Sequence, residues 1–125
     1  MTLAIVDDDE GVRRALARLV RCLGHEVLIF ASAEEFEAQS VAVDCLVVDV
    51  RLPGASGLEL RERLRSRVPP VPVVLITGDT HPKTRDASRA IDAPSVAKPF
   101  DDLTLMAAIA DAMAQADVVG ERRAD

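Results

Sequence analysis

LAIVDDDEGVRRALARLVRCLGHEVLIF, residues 3–30, changes its period twice. Leu3 to Val6 is an uninterrupted apolar run, the pattern of a strand buried on both faces, and the acids Asp7, Asp8, Asp9 and Glu10 end it. Val12, Ala15, Leu16, Leu19, Val20 and Leu23 then fall at helical spacing, with Arg13, Arg14, Arg18 and Arg21 on the other face. Gly24 suits the stop of that helix, because glycine enters the left-handed region without steric cost. Val27 to Phe30 returns to a strand. This is one β-α-β unit.

The same alternation continues outward. Ser32 and Glu35 form a capping box that opens a short helix to about Gln39. Cys45 to Val48 is a third apolar run, followed by Asp49 and the loop Leu52-Pro53-Gly54-Ala55-Ser56-Gly57. A helix rich in Glu and Arg comes next, anchored by Leu60, Leu64 and Val68. Val71 to Ile76 is a strongly apolar strand closed by Thr77-Gly78, and a weak helix is expected over 82–91, with Pro82 at its start. Ser95 to Ala97 is a short fifth strand. After Lys98-Pro99, Asp101 opens a last helix with the apolar stripe Leu103, Met106, Ala110 and Met113. Residues 117–125 read as a frayed tail, which leaves 1–116 as one domain. Five strands alternating with five helices predict an α/β fold, a parallel sheet covered on both faces.

Composition narrows the function. The 125 residues are 49% apolar, enough for a core in one domain. Fifteen basic against 21 acidic residues give a net charge of −6, which argues against nucleic acid or an anionic membrane as the direct partner. No apolar run approaches the roughly 20 residues of a membrane span. The first apolar run meets acid at Asp7, too early for a signal-peptide core. Cys22 and Cys45 are isolated, so both are expected in core packing rather than in a disulfide or zinc site. A cytoplasmic, reduced protein is expected.

In an open α/β sheet, ligands bind outside the carboxyl ends of the strands. The first strand ends in Asp7 and Asp8, the third in Asp49, the fourth in Thr77 and the fifth in Lys98. Three carboxylates, a hydroxyl and an amine thus converge from distant parts of the chain. Packed carboxylates repel at neutral pH and call for a cation, and hard oxygens favour Mg²⁺ or a similar ion. A carboxylate nucleophile beside such an ion suits phosphoryl transfer, with Lys98 pairing the phosphoryl group and the Thr77 hydroxyl bonding one of its oxygens. Competing readings explain less. A solvated helix start accounts for Asp9 and Glu10 but not for Asp49 or Lys98. A calcium-binding EF-hand fails because Gly11 stands at the fifth position from Asp7, not the sixth. Gly54 and Gly57 read as turn residues.

The set Val6-Asp7-Asp8, Val48-Asp49, Leu52-Pro53-Gly54-x-Ser56-Gly57, Thr77-Gly78 and Lys98-Pro99-Phe100 closely resembles the receiver domains of bacterial two-component response regulators. The resemblance runs from residue 1 to about 116. Arg51-Leu52-Pro53 and Thr77-Gly78-Asp79 look most like the receivers of LuxR-type transcription regulators. The resemblance implies a flavodoxin-like, doubly wound sheet of order 2-1-3-4-5. It implies Asp49 as phosphoacceptor, Asp8 as a direct Mg²⁺ ligand, Asp7 holding the ion mostly through water, and the Arg51 backbone carbonyl as a further ligand. Lys98 would contact the phosphoryl group, and Thr77 would be the switch hydroxyl. The donor would be a sensor histidine kinase or a histidine phosphotransfer protein. The domain would then be a signalling module that is modified and slowly loses its phosphoryl group, not an enzyme with an external product.

The sequence departs from the family in places. Ser95 stands where receivers carry Tyr or Phe, and the chain has no Tyr or Trp. The expected helix over 82–91 has only Ala87, Ala90 and Ile91 to pack, so it is expected to be mobile. The resemblance implies a cis Lys98-Pro99 bond, and Arg51 and Asp79 are expected to pair across the site mouth. The last helix also carries Leu105, Ala108, Ile109 and Ala112, which means either a homodimer through the fourth and fifth helices or a wider buried face. No helix-turn-helix follows residue 116, so the expectation is that either an output domain was removed or the protein works alone by docking. Two alternatives come from other classes. An Asp-x-Asp phosphatase needs a second Asp where Arg51 stands, and a degenerate receiver would only bind proteins.

Overall fold

Alternation along a strand sends successive side chains to opposite faces, so the apolar runs of this chain must supply two cores. The computed structural model describes residues 1–39, 42–66, 71–78, 94–98 and 100–124. The chain order is β1 (Thr2–Val6), α1 (Glu10–Cys22), β2 (Glu26–Phe30), α2 (Ala33–Gln39), β3 (Cys45–Asp49), α3 (Gly57–Arg65), β4 (Val73–Thr77), β5 (Ser95–Ala97) and α4 (Asp102–Ala124). The strands form one sheet of order β2-β1-β3-β4-β5, every neighbouring pair parallel. This is the flavodoxin-like receiver fold. The helix expected over 82–91, the Lys98-Pro99 bond and Asp79 lie outside the described residues.

Leu3, Ile5, Cys45, Val47, Val74 and Ile76 face α1 and α4, whose Leu16, Ala17, Val20, Leu105 and Ile109 complete that core. Ala4, Val6, Leu46, Val48 and Leu75 face the other way, onto Ala33 and Phe36 of α2 and Leu60 and Leu64 of α3. Helices thus cover both faces, and the strand runs are continuous because neither face meets water. Local chemistry starts and stops these helices. The Asp9 carboxylate accepts the Val12 N–H at 3.1 Å and caps α1, while Gly24 follows that helix at φ +91°. Ser32 accepts the Glu35 N–H at 3.1 Å, and Glu35 reaches back to the Ala31 N–H at 2.8 Å, one residue earlier than an ideal capping box. Among the described residues, no helix is long and apolar enough to cross a membrane.

Two expectations are corrected here. Cys45 is buried in the core, where burial pushes its thiol up to about 12, but Cys22 is exposed at the end of α1. The last helix also buries the other stripe. Leu105, Ala108, Ile109 and Ala112 are buried, whereas Leu103 is 77% and Met106 42% exposed and Ala110 is exposed; only Met113 of the expected set borders the core. Both sets have helical spacing, so sequence periodicity cannot choose between them. The small side chains of Ala108 and Ala112 favour close seating on the sheet, and the Asp101 carboxylate, which accepts the Thr104 N–H at 2.7 Å, fixes where the helix begins. The wider-face reading therefore describes Leu105, Ala108, Ile109 and Ala112. The backbone of α4 is helical through Ala124.

The choice of stripe has a measurable consequence. Ile109→Ala should cost about 2–4 kcal/mol, and Leu103→Ala should stay within about 0.5 kcal/mol, read as urea midpoints. Equal losses at the two positions would contradict the buried stripe.

Candidate functional site

Parallel pairing places the ends of β1, β3, β4 and β5 along one edge. Val6 pairs with Val48, Asp49 with Ile76, and Thr77 with Ala97. Residues that follow these strands must therefore meet, and they do. The carboxylates of Asp7, Asp8 and Asp49 come within 4.8 Å of one another. Lys98 Nζ lies 2.6 Å from Asp49 Oδ2 and 3.3 Å from Asp7 Oδ2. The side chains of Asp7 and Asp49 are 1% and 8% exposed, while Asp8 is exposed.

Both buried acids are oriented by main-chain donors as well as by Lys98. The Asp9 N–H donates to Asp7 Oδ1 at 2.9 Å, and the Arg51 N–H donates to Asp49 Oδ1 at 2.8 Å. Each carboxylate thus has one oxygen on the backbone and one on the lysine. Arg13, on α1, donates from Nη1 to the Asp7 carbonyl at 2.8 Å, which ties the end of β1 to the helix that follows. Thr77 is half-buried at the end of β4, and its carbonyl accepts the Lys98 N–H at 2.8 Å. The strand end that carries the hydroxyl thus also fixes the lysine backbone.

Burial pushes the Asp7 carboxyl up, and the Asp49 charge adds to this, against the opposing pull of the Asp9 N–H and Lys98. Burial alone would lower the Lys98 ammonium. Its hydrogen bond to Asp49 and the charges of Asp49 and Asp7 outweigh that and hold it above its usual range. Among the described residues, Asp7, Asp8 and Asp49 group together, and the Lys98 ammonium pairs with two of them. Such hard oxygen donors fit a divalent cation of the Mg²⁺ kind.

Two glycines shape the site in ways that spacing does not reveal. A Cβ on Gly57 would lie 2.2 Å from the Asp49 carbonyl oxygen, so the first turn of α3 packs directly on the backbone of the acid. Gly57 is thus a close-approach residue rather than a turn residue, whereas Gly54, at φ +78°, is the turn. A Cβ on Gly78 would lie 3.2 Å from Lys98 Cδ, so that glycine leaves room for the lysine stem. Gly57→Ala should destabilise the fold by about 2–4 kcal/mol in thermal or urea unfolding, because backbone must move. A variant within about 0.5 kcal/mol of the parent would mean that α3 can slide away without cost.

The structure brings Asp7, Asp8, Asp49 and Lys98 together, with Thr77 at the adjoining strand end. The sequence did not single out Arg13, which reads as one of four arginines on a solvated face but is half-buried. Ser95 is exposed on β5, opposite Leu75.

The receiver-domain profile of response regulators matches residues 3–110. The chain is 39% identical over 108 residues to the transcriptional regulatory protein FixJ of Azorhizobium caulinodans, covering 84% of this chain and 51% of that protein. It is 40% identical over 109 residues to nodulation protein W of Bradyrhizobium diazoefficiens, covering 84% and 48%. Among solved structures, the response regulator StyR matches with a TM-score of 0.80 at 35% identity, over 98% of this chain and 63% of that one. A response regulator from Chloroflexus aurantiacus matches with a TM-score of 0.80 at 33% identity, over 90% and 97%. The chain spans about half the length of the curated relatives it matches. Fold, acidic edge and relatives agree: the chain belongs to the response regulator receiver domains, signalling modules of two-component systems.

Proposed function

We propose that Asp49 is the phosphoacceptor and that the acidic edge binds Mg²⁺ to support the transfer. The observation that carries this is the Asp49 carboxylate, buried at a strand end between the Lys98 ammonium and the Arg51 N–H, beside two further carboxylates. Asp8, Asp49 and the Arg51 carbonyl would hold the ion. Asp7 would reach it mostly through water. The bound ion supplies charge neutralisation on the transferring oxygens.

The chain's own residues do the rest. An oxygen of Asp49 attacks phosphorus, the bond from phosphorus to the donor nitrogen breaks, and the donor leaves as neutral imidazole after taking a proton from solvent. The product is a mixed anhydride on Asp49. Lys98, which neutralises Asp49 beforehand, then pairs the phosphoryl oxygens, and the Thr77 hydroxyl supplies a further hydrogen bond. The Arg51 N–H and the Lys98 ammonium hold the acceptor in one orientation, so transfer starts from a positioned carboxylate.

The donor is a sensor histidine kinase or a histidine phosphotransfer protein, and a cytoplasmic location goes with it. The domain occupies 1–116, and its output in a longer protein follows the transcription regulators it resembles. A homodimer through the last helix would use Leu103 and Met106, which are exposed, rather than Leu105 and Ile109, which the core takes. The degenerate alternative has no support in a site that keeps its acids and its lysine. Incubation with acetyl phosphate tests the reading. Intact mass should show one added phosphoryl group with Mg²⁺ and none with a chelator. No gain under saturating donor and metal would overturn the proposal.

A further inference from the structure

Glu34 stands in the first turn of α2 and is exposed. Its side chain crosses to the loop between β3 and α3. Oε1 accepts the Ala55 N–H at 2.8 Å. The carboxylate also lies over Gly54, where a Cβ would come within 2.7 Å of Oε1 and 3.2 Å of Cδ. Gly54 therefore serves two needs, its φ of +78° and a bare Cα under the acid. The Ala55 N–H, followed by Glu34's own N–H and the charge of Arg63, holds the Glu34 carboxyl below its usual range. On the same side, Arg63 of α3 donates to Glu37 of α2 at 2.5 Å, and Ala33, Leu52 and Ala55 share the core beneath. Helix α2, the loop and α3 are joined at several points, and Glu34 is the point that grips the loop backbone.

That loop begins at the acid assigned as acceptor. Arg51 donates its N–H to Asp49 Oδ1, and Gly57 donates to the Val50 carbonyl at 3.1 Å. The loop is thus fixed at its start by Asp49, at its end by Gly57, and between them by Glu34. We propose that Glu34 is a positioning residue for phosphoryl acceptance, acting through the loop rather than on the phosphoryl group; this rests on Asp49 being the acceptor. Without the grip at Ala55, the segment from Arg51 onward samples more conformations. The Arg51 N–H then spends less time on Asp49, and the carboxylate loses orientation.

The test compares Glu34→Ala and Glu34→Gln with the parent, using acetyl phosphate and Mg²⁺ at a temperature where all three are folded. Phosphorylation of Glu34→Ala should be about fivefold slower, the size expected for one lost hydrogen bond. Glu34→Gln keeps an acceptor oxygen for the Ala55 N–H and should stay within about twofold of the parent. Urea midpoints measured alongside separate the rate from stability. A lowered midpoint with an unchanged rate in Glu34→Ala makes the contact a staple and overturns the inference. So does a Gln variant as slow as the Ala variant, which would implicate charge instead. A parent that takes up no phosphoryl group overturns the acceptor reading itself, so the two failures are distinct.

Discussion

Asp49→Asn should take up no phosphoryl group from acetyl phosphate under conditions that add one group to the parent. The substitution is close to isosteric. Its amide oxygen can still accept the Arg51 N–H, and Lys98 keeps Asp7 as a partner at 3.3 Å, so the fold and the site frame should persist. The nucleophile is what disappears, because an amide oxygen carries no charge and its phosphorylation would give an unstable imidate rather than an acyl phosphate. The Asp7 carboxyl, which the Asp49 charge helps to push up, should move back toward the usual range. Intact mass reads the result directly, and circular dichroism confirms that both proteins are folded. Uptake by the variant at the parent's level would transfer the acceptor role to Asp7 or Asp8. Uptake by neither would remove the phosphoacceptor reading.

Much of this site is legible in the sequence because parallel topology leaves little freedom. Once Leu3–Val6, Cys45–Val48, Val71–Ile76 and Ser95–Ala97 are read as parallel strands, the residues that follow them must share an edge. Asp7, Asp49, Thr77 and Lys98 then need no further information to be placed. The faces of the sheet are as constrained, since period two divides Leu3 and Ile5 from Ala4 and Val6. What the sequence hides are contacts between elements whose relative setting depends on packing. Helix α4 offers two apolar stripes, and only the setting of the helix on the sheet selects Leu105 and Ile109 over Leu103 and Met106. Gly57 reads as a turn residue until α3 is seated against the Asp49 carbonyl. Glu34 and Arg13 look like ordinary surface charges. Their roles come from main-chain groups brought near by tertiary structure, Ala55 N–H and Asp7 C=O, and neither lies at a spacing that a motif would encode.

Lys98→Ala should slow phosphorylation about 100-fold, the scale of losing one charged donor aimed at developing negative charge. The lysine acts at two stages. Before transfer it lies 2.6 Å from Asp49 and 3.3 Å from Asp7, so it offsets the repulsion between two buried acids. Its removal leaves that repulsion uncompensated and pushes Asp7 further up, since Lys98 is among the groups that hold the carboxyl down. During transfer the lost ammonium can no longer pair the phosphoryl oxygens. These two effects separate experimentally. The first is a charge deficit that a divalent cation can offset, so Mg²⁺ should raise the urea midpoint of the variant more than that of the parent. The second involves the transferring group itself, so added Mg²⁺ should not restore the rate. Lys98→Arg keeps the charge but replaces a compact ammonium with a planar fork, and it should recover stability more than rate. A Lys98→Ala protein that regains the parental rate at high Mg²⁺ would reduce Lys98 to a counterion for Asp7 and Asp49. One that remains slow while its stability recovers would assign the lysine to the phosphoryl group.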